Sequence, residues 1–162
     1  MTVLLCSEAP GEGLGELLAK YAMRLQWVEN DQSIPGSHFG DPEAGLIGNT
    51  LLVRGDTPLH SAFHETCHYI CMDQQRRENL HTDAGGGYDE ENGVCYLQIL
   101  LADYLPGFGS ERMFQDMDEW GYSFRLGSSR AWFEQDAEDA QAWLIRYHLI
   151  DHSNRPTWML RQ

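Results

Sequence analysis

The sequence predicts a compact α+β domain, and three observations support this prediction. Apolar residues recur at helical spacing in several segments, most clearly over residues 13–25 and 59–72. Between residues 30 and 56 the pattern changes to short apolar runs separated by turn signals, which is typical of strands. A chain of 162 residues with 42% hydrophobic content is long enough for one core, so a single domain over residues 1–162 is expected.

In chain order, the pattern predicts an N-terminal helix over residues 13–25 and then a small antiparallel sheet. The sheet is expected because turn signals such as Gly48-Asn49 adjoin short apolar runs such as residues 51–53. The next helix should begin at Pro58, with Thr57 as its N-cap, and should continue to residue 72. The remaining predicted elements are a polar, glycine-rich loop over 78–89, a helix over 89–105, an acidic helix over 111–120, a loop over 121–129 and a final helix over 130–149.

Composition and charge exclude several classes of function. With a net charge of −14 and a pI near 4.7, the chain lacks the clustered Lys and Arg that bind nucleic acid or an anionic membrane. No apolar run reaches the roughly 18 residues of a membrane span, and the start of the chain does not resemble a signal peptide. The four cysteines lack the paired spacing of a disulfide framework, so a cytoplasmic protein with reduced thiols is expected.

The segment from His64 to His68 has the spacing H-E-x-x-H. On a helix of about 3.6 residues per turn, His64 and His68 lie on one face and can bind the same metal ion. Glu65 lies about 100° around the helix, where it can hydrogen-bond a water held on the metal and accept its proton. The motif therefore predicts two metal ligands and a general base.

A catalytic zinc site needs a third protein ligand, because the fourth position is kept for water. A metzincin would place Gly at position 71 and His at position 74, where this chain has Cys71 and Gln74, so that family is excluded. Two acidic residues, Glu90 and Glu91, follow at the start of the next predicted helix. Both are candidates, and Glu91 is preferred because it lies on the less apolar face of that helix.

In these residues the chain resembles the gluzincin metallopeptidases, especially small members similar to the domains of phage-repressor-cleaving regulators. Their pattern of H-E-x-x-H followed by Glu-x-x-Ala on the next helix matches His64, Glu65, His68 and Glu91, with Val94 in the small position. The resemblance extends from the motif helix through the next predicted helix. It implies a zincin-like fold, a zinc ion held by two histidines and one glutamate, and a peptide or protein substrate.

The chain departs from this pattern at two places. If Glu90 were the ligand, Gly93 would occupy the small position, so the choice between the neighbouring glutamates stays open. Many gluzincins carry an Asp four residues after the ligand glutamate to orient a ligand histidine, and this chain has Cys95 there. Asp83 or Asp103 would then have to orient the imidazole.

Other side chains near the motif are weaker candidates for the metal. His60 lies on the same helix face as the motif histidines and is expected to lie behind the ligands or at the rim of the site rather than to bind the metal. His81, in the predicted loop, is an alternative ligand. Cys67 and Cys71 are one helical turn apart and could bind a soft metal, but buried cysteines usually act as small apolar side chains.

A second resemblance indicates another class of enzyme. Arg76 and Arg77 are similar to residues that follow the H-E-x-x-H segment of the elongation factor P hydroxylase family, a group of non-haem iron oxygenases. Two histidines and one carboxylate also form the iron(II) facial triad, so spacing alone does not choose between zinc and iron. The Arg pair is also explained as a solvated helix end favoured by the helix dipole.

The preferred interpretation is a zinc-dependent hydrolase that cleaves a peptide bond. Glu65 would act as the general base, and a donor for the oxyanion would come from the segment over residues 120–125, with Tyr122 or Arg125 as the donor. The alternatives are an iron(II) oxygenase with the same ligands and a non-catalytic domain that uses its metal or acidic surface for binding. A peptide or protein is the expected partner, and neither nucleic acid nor a membrane is expected.

Overall fold

The structure, a computed structural model, describes residues 2–9, 11–80 and 85–162. Over these residues, helices and a three-stranded sheet form a compact α+β fold, which confirms the predicted class. Within the same residues, no helix combines the length and apolarity needed to cross a bilayer. The elements are α1 (Gly13–Ala19), β1 (Arg24–Trp27), β2 (Gly45–Ile47), β3 (Thr50–Val53), α2 (Leu59–Cys71), α3 (Gln74–Glu78), α4 (Tyr88–Ala102), α5 (Ser110–Trp120), α6 (Ser129–Gln135) and α7 (Glu138–Arg146).

The sheet is mixed, which corrects the antiparallel sheet expected from the sequence. β2 and β3 form the predicted hairpin around Gly48-Asn49, with Leu46 opposite Leu51. β1 lies on the other side of β3 and runs parallel to it, with Leu25 opposite Leu51. Turn residues indicate a hairpin, whereas a parallel partner arrives through a long connection that leaves no local signal.

Several predicted helix boundaries differ from the structure, and the helix expected over residues 89–105 ends at Ala102. α1 ends at Ala19, and the last two residues of the expected helix, 24 and 25, belong to β1 instead. α2 begins one residue later than expected, and the hydroxyl of Thr57 accepts a hydrogen bond from the backbone N–H of Arg54 rather than capping the helix. The expected final helix is divided at Asp136, whose φ of −142° is not helical and whose carboxylate accepts a hydrogen bond from Arg125.

α2 is the central helix of the fold, because all of its residues are buried. One side packs on β2 and β3, and other sides contact α4 and α5. Apolar residues such as Leu59, Phe63 and Ile70 belong to the main hydrophobic core. The polar residues of the motif are buried with them, and buried polar groups require hydrogen-bond partners. For the two histidines of the motif, Glu91 and Gln98 of α4 supply those partners.

α4 is held close to α7 at Gly93. A Cβ atom at this position would lie 2.8 Å from Cε3 of Trp143, so a larger residue would push the two helices apart. The glycine therefore has a packing role here. This close approach helps to set the position of α4, whose first turn lies beside the motif.

The short helix α3 accounts for the Arg pair that follows the motif. Asp73 caps α3 by accepting a hydrogen bond from the backbone N–H of Arg76. Arg77 is buried and donates to backbone carbonyls at the end of α2, including those of Tyr69 and Met72. The last carbonyls of a helix lack partners within it, and the guanidinium supplies them. The solvated helix end expected from the sequence is therefore wrong for Arg77.

Candidate metal centre

The side chains of His64, His68 and Glu91 converge on one point. Nε2 of His64 lies 3.1 Å from Nε2 of His68, and the carboxylate oxygens of Glu91 lie 3.0 and 3.2 Å from these two nitrogens. In the part of the chain that the structure describes, they are the one group of His, Cys, Asp and Glu side chains close enough to share a metal ion. The three residues proposed as ligands from the sequence therefore lie together.

These donor atoms suit a divalent cation. Zinc bonds of about 2.0–2.1 Å in a tetrahedron would separate neighbouring donors by about 3.3 Å, which is close to the distances between the three side chains. Two imidazole nitrogens and a carboxylate oxygen form the donor set of many catalytic zinc sites. The same set also forms the iron(II) facial triad, so it does not by itself identify the metal.

Gln98 on α4 orients the first imidazole. Its Oε1 lies 2.6 Å from Nδ1 of His64, while its Nε2 donates to the backbone carbonyl of His60. Because Oε1 can only accept, Nδ1 of His64 carries the proton, and in the neutral ring the Nε2 lone pair faces the other two candidate ligands. Gln98 is completely buried and selects this tautomer without adding a charge.

The sequence did not predict this role for Gln98. Asp83, one expected acceptor, lies outside the described residues. Asp103, the other, accepts a hydrogen bond from the backbone N–H of Ser110 at the start of α5. Gln98 lies two helical turns after Glu91, and this spacing on one helix face is the signal that could have indicated it. Nδ1 of His68 is buried and has no partner among the described residues.

The neighbouring glutamates of α4 have different partners. Glu91 faces the motif histidines, and its side chain is 47% exposed. Burial alone would raise its pKa, but hydrogen bonds with both histidines hold the pKa of Glu91 well below its usual range. Glu90 is buried and forms ion pairs with Arg76 and Arg161 at 2.9 and 3.0 Å. Glu90, the alternative third ligand, therefore faces away from the histidines.

The glycine-rich loop before α4 helps to enclose Glu90. Gly86 has a φ of 101°, in the left-handed region that favours glycine, and a Cβ atom there would overlap the carboxylate of Glu90. The loop backbone can therefore pass directly over the ion pairs. This gives Gly86 a structural role in fixing the first turn of α4.

Glu65 lies beside the candidate ligands, and both Glu65 and His64 border a cavity at the surface of the site. It is 6% exposed, and among the described residues none donates a hydrogen bond to its carboxylate. Burial raises the pKa of Glu65, although His68 and His64 oppose this effect. A buried carboxylate at a cavity, whose oxygens accept no hydrogen bond from the described residues, is suited to accept a proton from a water or substrate group.

The cavity next to these residues has a volume of about 320 Å³. Phe39 and Trp120, which are 68% and 43% exposed, form part of its outer rim. Glu43 also lines the cavity and accepts a hydrogen bond from Nε1 of Trp120. The described lining includes three glutamates and neither Lys nor Arg, so negative charge prevails before a cation binds.

Of the two candidate oxyanion donors, Tyr122 lies in this cavity and Arg125 does not. The Tyr122 ring is edge-on to that of His64, with centroids 5.7 Å apart. Burial raises the pKa of Tyr122 to about 12, so the phenol keeps its proton at neutral pH. Arg125 has a side chain that is 76% exposed, pairs with Asp136 and lines a separate cavity, which places it away from the candidate ligands.

Of the weaker candidates, those that the structure describes do not belong to the group of converging donor atoms. His81 lies outside the described residues. Cys67 and Cys71 are free and buried, and burial raises the pKa of both thiols. His60 is completely buried, and its Nδ1 lies 3.2 Å from the hydroxyl of Tyr122. His60 is therefore not at the rim, and of the two expected positions it occupies the one behind the candidate ligands, in contact with Tyr122.

Comparison with protein-family models, with curated proteins and with solved structures found no match to this chain. Function must therefore be inferred from the side chains themselves.

Proposed function

We propose that this protein is a zinc-dependent hydrolase of the gluzincin type, with a zincin-like fold, that cleaves a peptide bond in a peptide or protein. One observation carries the proposal. His64, His68 and Glu91 offer three converging donor atoms, while Glu65 remains beside them as a buried carboxylate without a hydrogen-bond donor among the described residues. A metallohydrolase of the H-E-x-x-H type requires this separation, because its base must reach a water without acting as a ligand.

Each side chain has a defined role in the proposed reaction. When bound, zinc supplies a Lewis acid that polarises a carbonyl and lowers the pKa of a water to about 7. Glu65 accepts a proton from the attacking water and returns it to the leaving amine, and its raised pKa makes it a stronger base for the first of these transfers. Tyr122 donates a hydrogen bond toward the developing oxyanion. Gln98 keeps the Nε2 lone pair of His64 available.

An iron(II) oxygenase is the second candidate, because the same three donors form a facial triad. Two features favour the hydrolase. An oxygenase with this triad does not need a free glutamate such as Glu65 beside it. A 2-oxoglutarate co-substrate would also need a cationic partner for its carboxylates, and the described cavity lining has neither Lys nor Arg. Arg76 and Arg77, on which the oxygenase resemblance rests, bind Glu90 and backbone carbonyls instead.

We place the protein in the cytoplasm. Its four cysteines are free and buried, and reduced thiols of this kind are typical of reducing compartments.

Metal content and turnover together test the proposed function. The protein is purified without added metal, and we expect one zinc ion per chain, lost in the His64→Ala/His68→Ala variant. The zinc form is then incubated with a peptide library, and we expect cleavage without oxygen or co-substrate. A second arm uses protein loaded anaerobically with iron, to which oxygen is added with and without 2-oxoglutarate.

The outcomes distinguish the three functions. Turnover that requires iron and oxygen would replace the hydrolase with an oxygenase. An intact metal site without turnover in either arm would indicate a binding domain. Full metal retention by the double histidine variant would show that the ion binds elsewhere.

A further inference from the structure

We propose that His60 is a positioning residue for Tyr122, which it holds so that the phenol proton points into the cavity, toward a group bound beside His64. This inference rests on the proposed metal site. It goes beyond that site by giving a role to a buried histidine that is neither a ligand nor the base.

The geometry connects His60 to the cavity through Tyr122. His60 lies one helical turn before His64 on α2 and is completely buried. Its Nδ1 lies 3.2 Å from the Tyr122 hydroxyl, and the two rings are edge-to-face with centroids 5.4 Å apart. The ring of Trp120 also packs against the imidazole, with centroids 5.1 Å apart. These contacts hold the imidazole against the phenol that borders the cavity.

The other ring nitrogen determines which group donates. Nε2 of His60 is buried and has no partner among the described residues. If Nδ1 accepted a hydrogen bond from the phenol, the neutral imidazole would carry its proton on Nε2, and that buried N–H donor would be unpaired. In the other tautomer Nδ1 carries the proton and Nε2 is an acceptor without a hydrogen bond. An unpaired buried acceptor is tolerated more often than an unpaired N–H. Nδ1–H of His60 therefore donates to the phenol oxygen.

This arrangement directs the proton of Tyr122. The phenol oxygen already accepts from His60, so its own proton must point to another acceptor. The side chain of Gln98 also forms a hydrogen bond with Tyr122, and because this bond lowers the pKa of Tyr122, the amide donates it to the phenol oxygen. Both hydrogen bonds therefore reach the phenol oxygen as an acceptor, and its own proton points into the cavity. A hydrogen bond donated there to an anionic oxygen would be stronger than one to a neutral group.

Two amide variants of His60 test this role. The amide nitrogen of His60→Asn takes the place of Nδ1, whereas that of His60→Gln takes the place of Nε2. Wild type and variants are loaded with cobalt, and acetohydroxamate is titrated while the visible absorption of the cobalt is recorded. We expect Tyr122→Phe and His60→Gln each to weaken acetohydroxamate binding about tenfold, and His60→Asn to restore most of the affinity. In the Tyr122→Phe background, His60→Gln should cause no further loss.

The alternatives give different results. Equal affinities for His60→Asn and His60→Gln, or a further loss in the double variant, would overturn the role of His60. Cobalt stoichiometry and thermal unfolding, measured for each variant, identify losses caused by a damaged site or fold. If His60→Gln does not fold, His60→Leu takes its place with the same expectation. Failure of wild type to bind cobalt at His64 and His68 would refute both proposals, whereas cobalt binding with peptide cleavage but no effect of His60 would refute only this one.

Discussion

Gln98 and His64 are joined by a hydrogen bond of 2.6 Å that connects α4 to α2 beside the candidate metal centre. Gln98 is completely buried and His64 nearly so. Glu91 lies on the same helix as Gln98, so α4 supplies both a candidate ligand and the acceptor that orients another. The geometry of the site therefore depends on how two helices pack, in addition to the motif.

Removing this acceptor should weaken metal binding. We expect Gln98→Leu to lower zinc affinity by about 10- to 100-fold, because His64 would lose the partner that selects its tautomer. Competition with a chromophoric chelator measures the affinity. Gln98→Glu is the matched control, since it retains an acceptor and should bind zinc more tightly than Gln98→Leu. Zinc affinity unchanged in Gln98→Leu would show that the hydrogen bond does not orient a ligand.

The two neighbouring glutamates should respond differently to substitution. Glu91→Ala should greatly reduce zinc affinity while leaving the ion pairs of Glu90 intact. Glu90→Ala should lower the free energy of unfolding by about 3 kcal/mol, because it leaves Arg76 and Arg161 without their buried partner. Urea unfolding of the metal-free proteins and zinc titration separate the two effects. The reverse pattern would make Glu90 the ligand.

Glu65→Gln should separate metal binding from catalysis. The amide keeps the shape of the side chain but cannot accept a proton, so peptide hydrolysis should fall at least about 100-fold while the zinc content stays at the wild-type level. Metal analysis and kcat on the best peptide from the library are the measurements. Glu43→Gln is a control in the same cavity and should cause a much smaller loss. An oxygenase would keep its turnover in Glu65→Gln.

Stability should depend on the protonation of His60. Burial, with a contribution from His64, lowers the pKa of His60 to about 3 from 6.5. As pH falls below about 6.5, His60 binds a proton in the unfolded chain but not in the folded one. This difference lowers the free energy of unfolding by about 2 kcal/mol at about pH 5, and the effect is absent above about pH 7. Metal-free His60→Asn should therefore lose less stability than wild type between these pH values. Urea unfolding of both proteins across this pH range measures the loss. Equal losses of unfolding free energy in wild type and His60→Asn would contradict the prediction.

Local features of the sequence were sufficient for most elements of the fold. The helical spacing of apolar residues located α2, α4 and α5, and Gly48-Asn49 indicated the hairpin of β2 and β3. Their signals lie within a few residues of one another, since they come from helix periodicity and turn chemistry. The parallel pairing of β1 with β3 had no such signal. The interruption between α6 and α7 at Asp136 also had none, because Asp136 is held by a contact with Arg125.

The H-E-x-x-H spacing by itself determined that His64 and His68 share a helix face with Glu65 beside them, because four residues make about one helical turn. Only the tertiary structure decided that Glu91 rather than Glu90 faces these histidines, that Gln98 orients His64 and that Tyr122 borders the cavity. Those relationships depend on the rotation of α4 against α2 and on where α5 ends. Buried ion pairs with Glu90 and close packing at Gly93 set that rotation, and both are contacts between residues far apart in the chain.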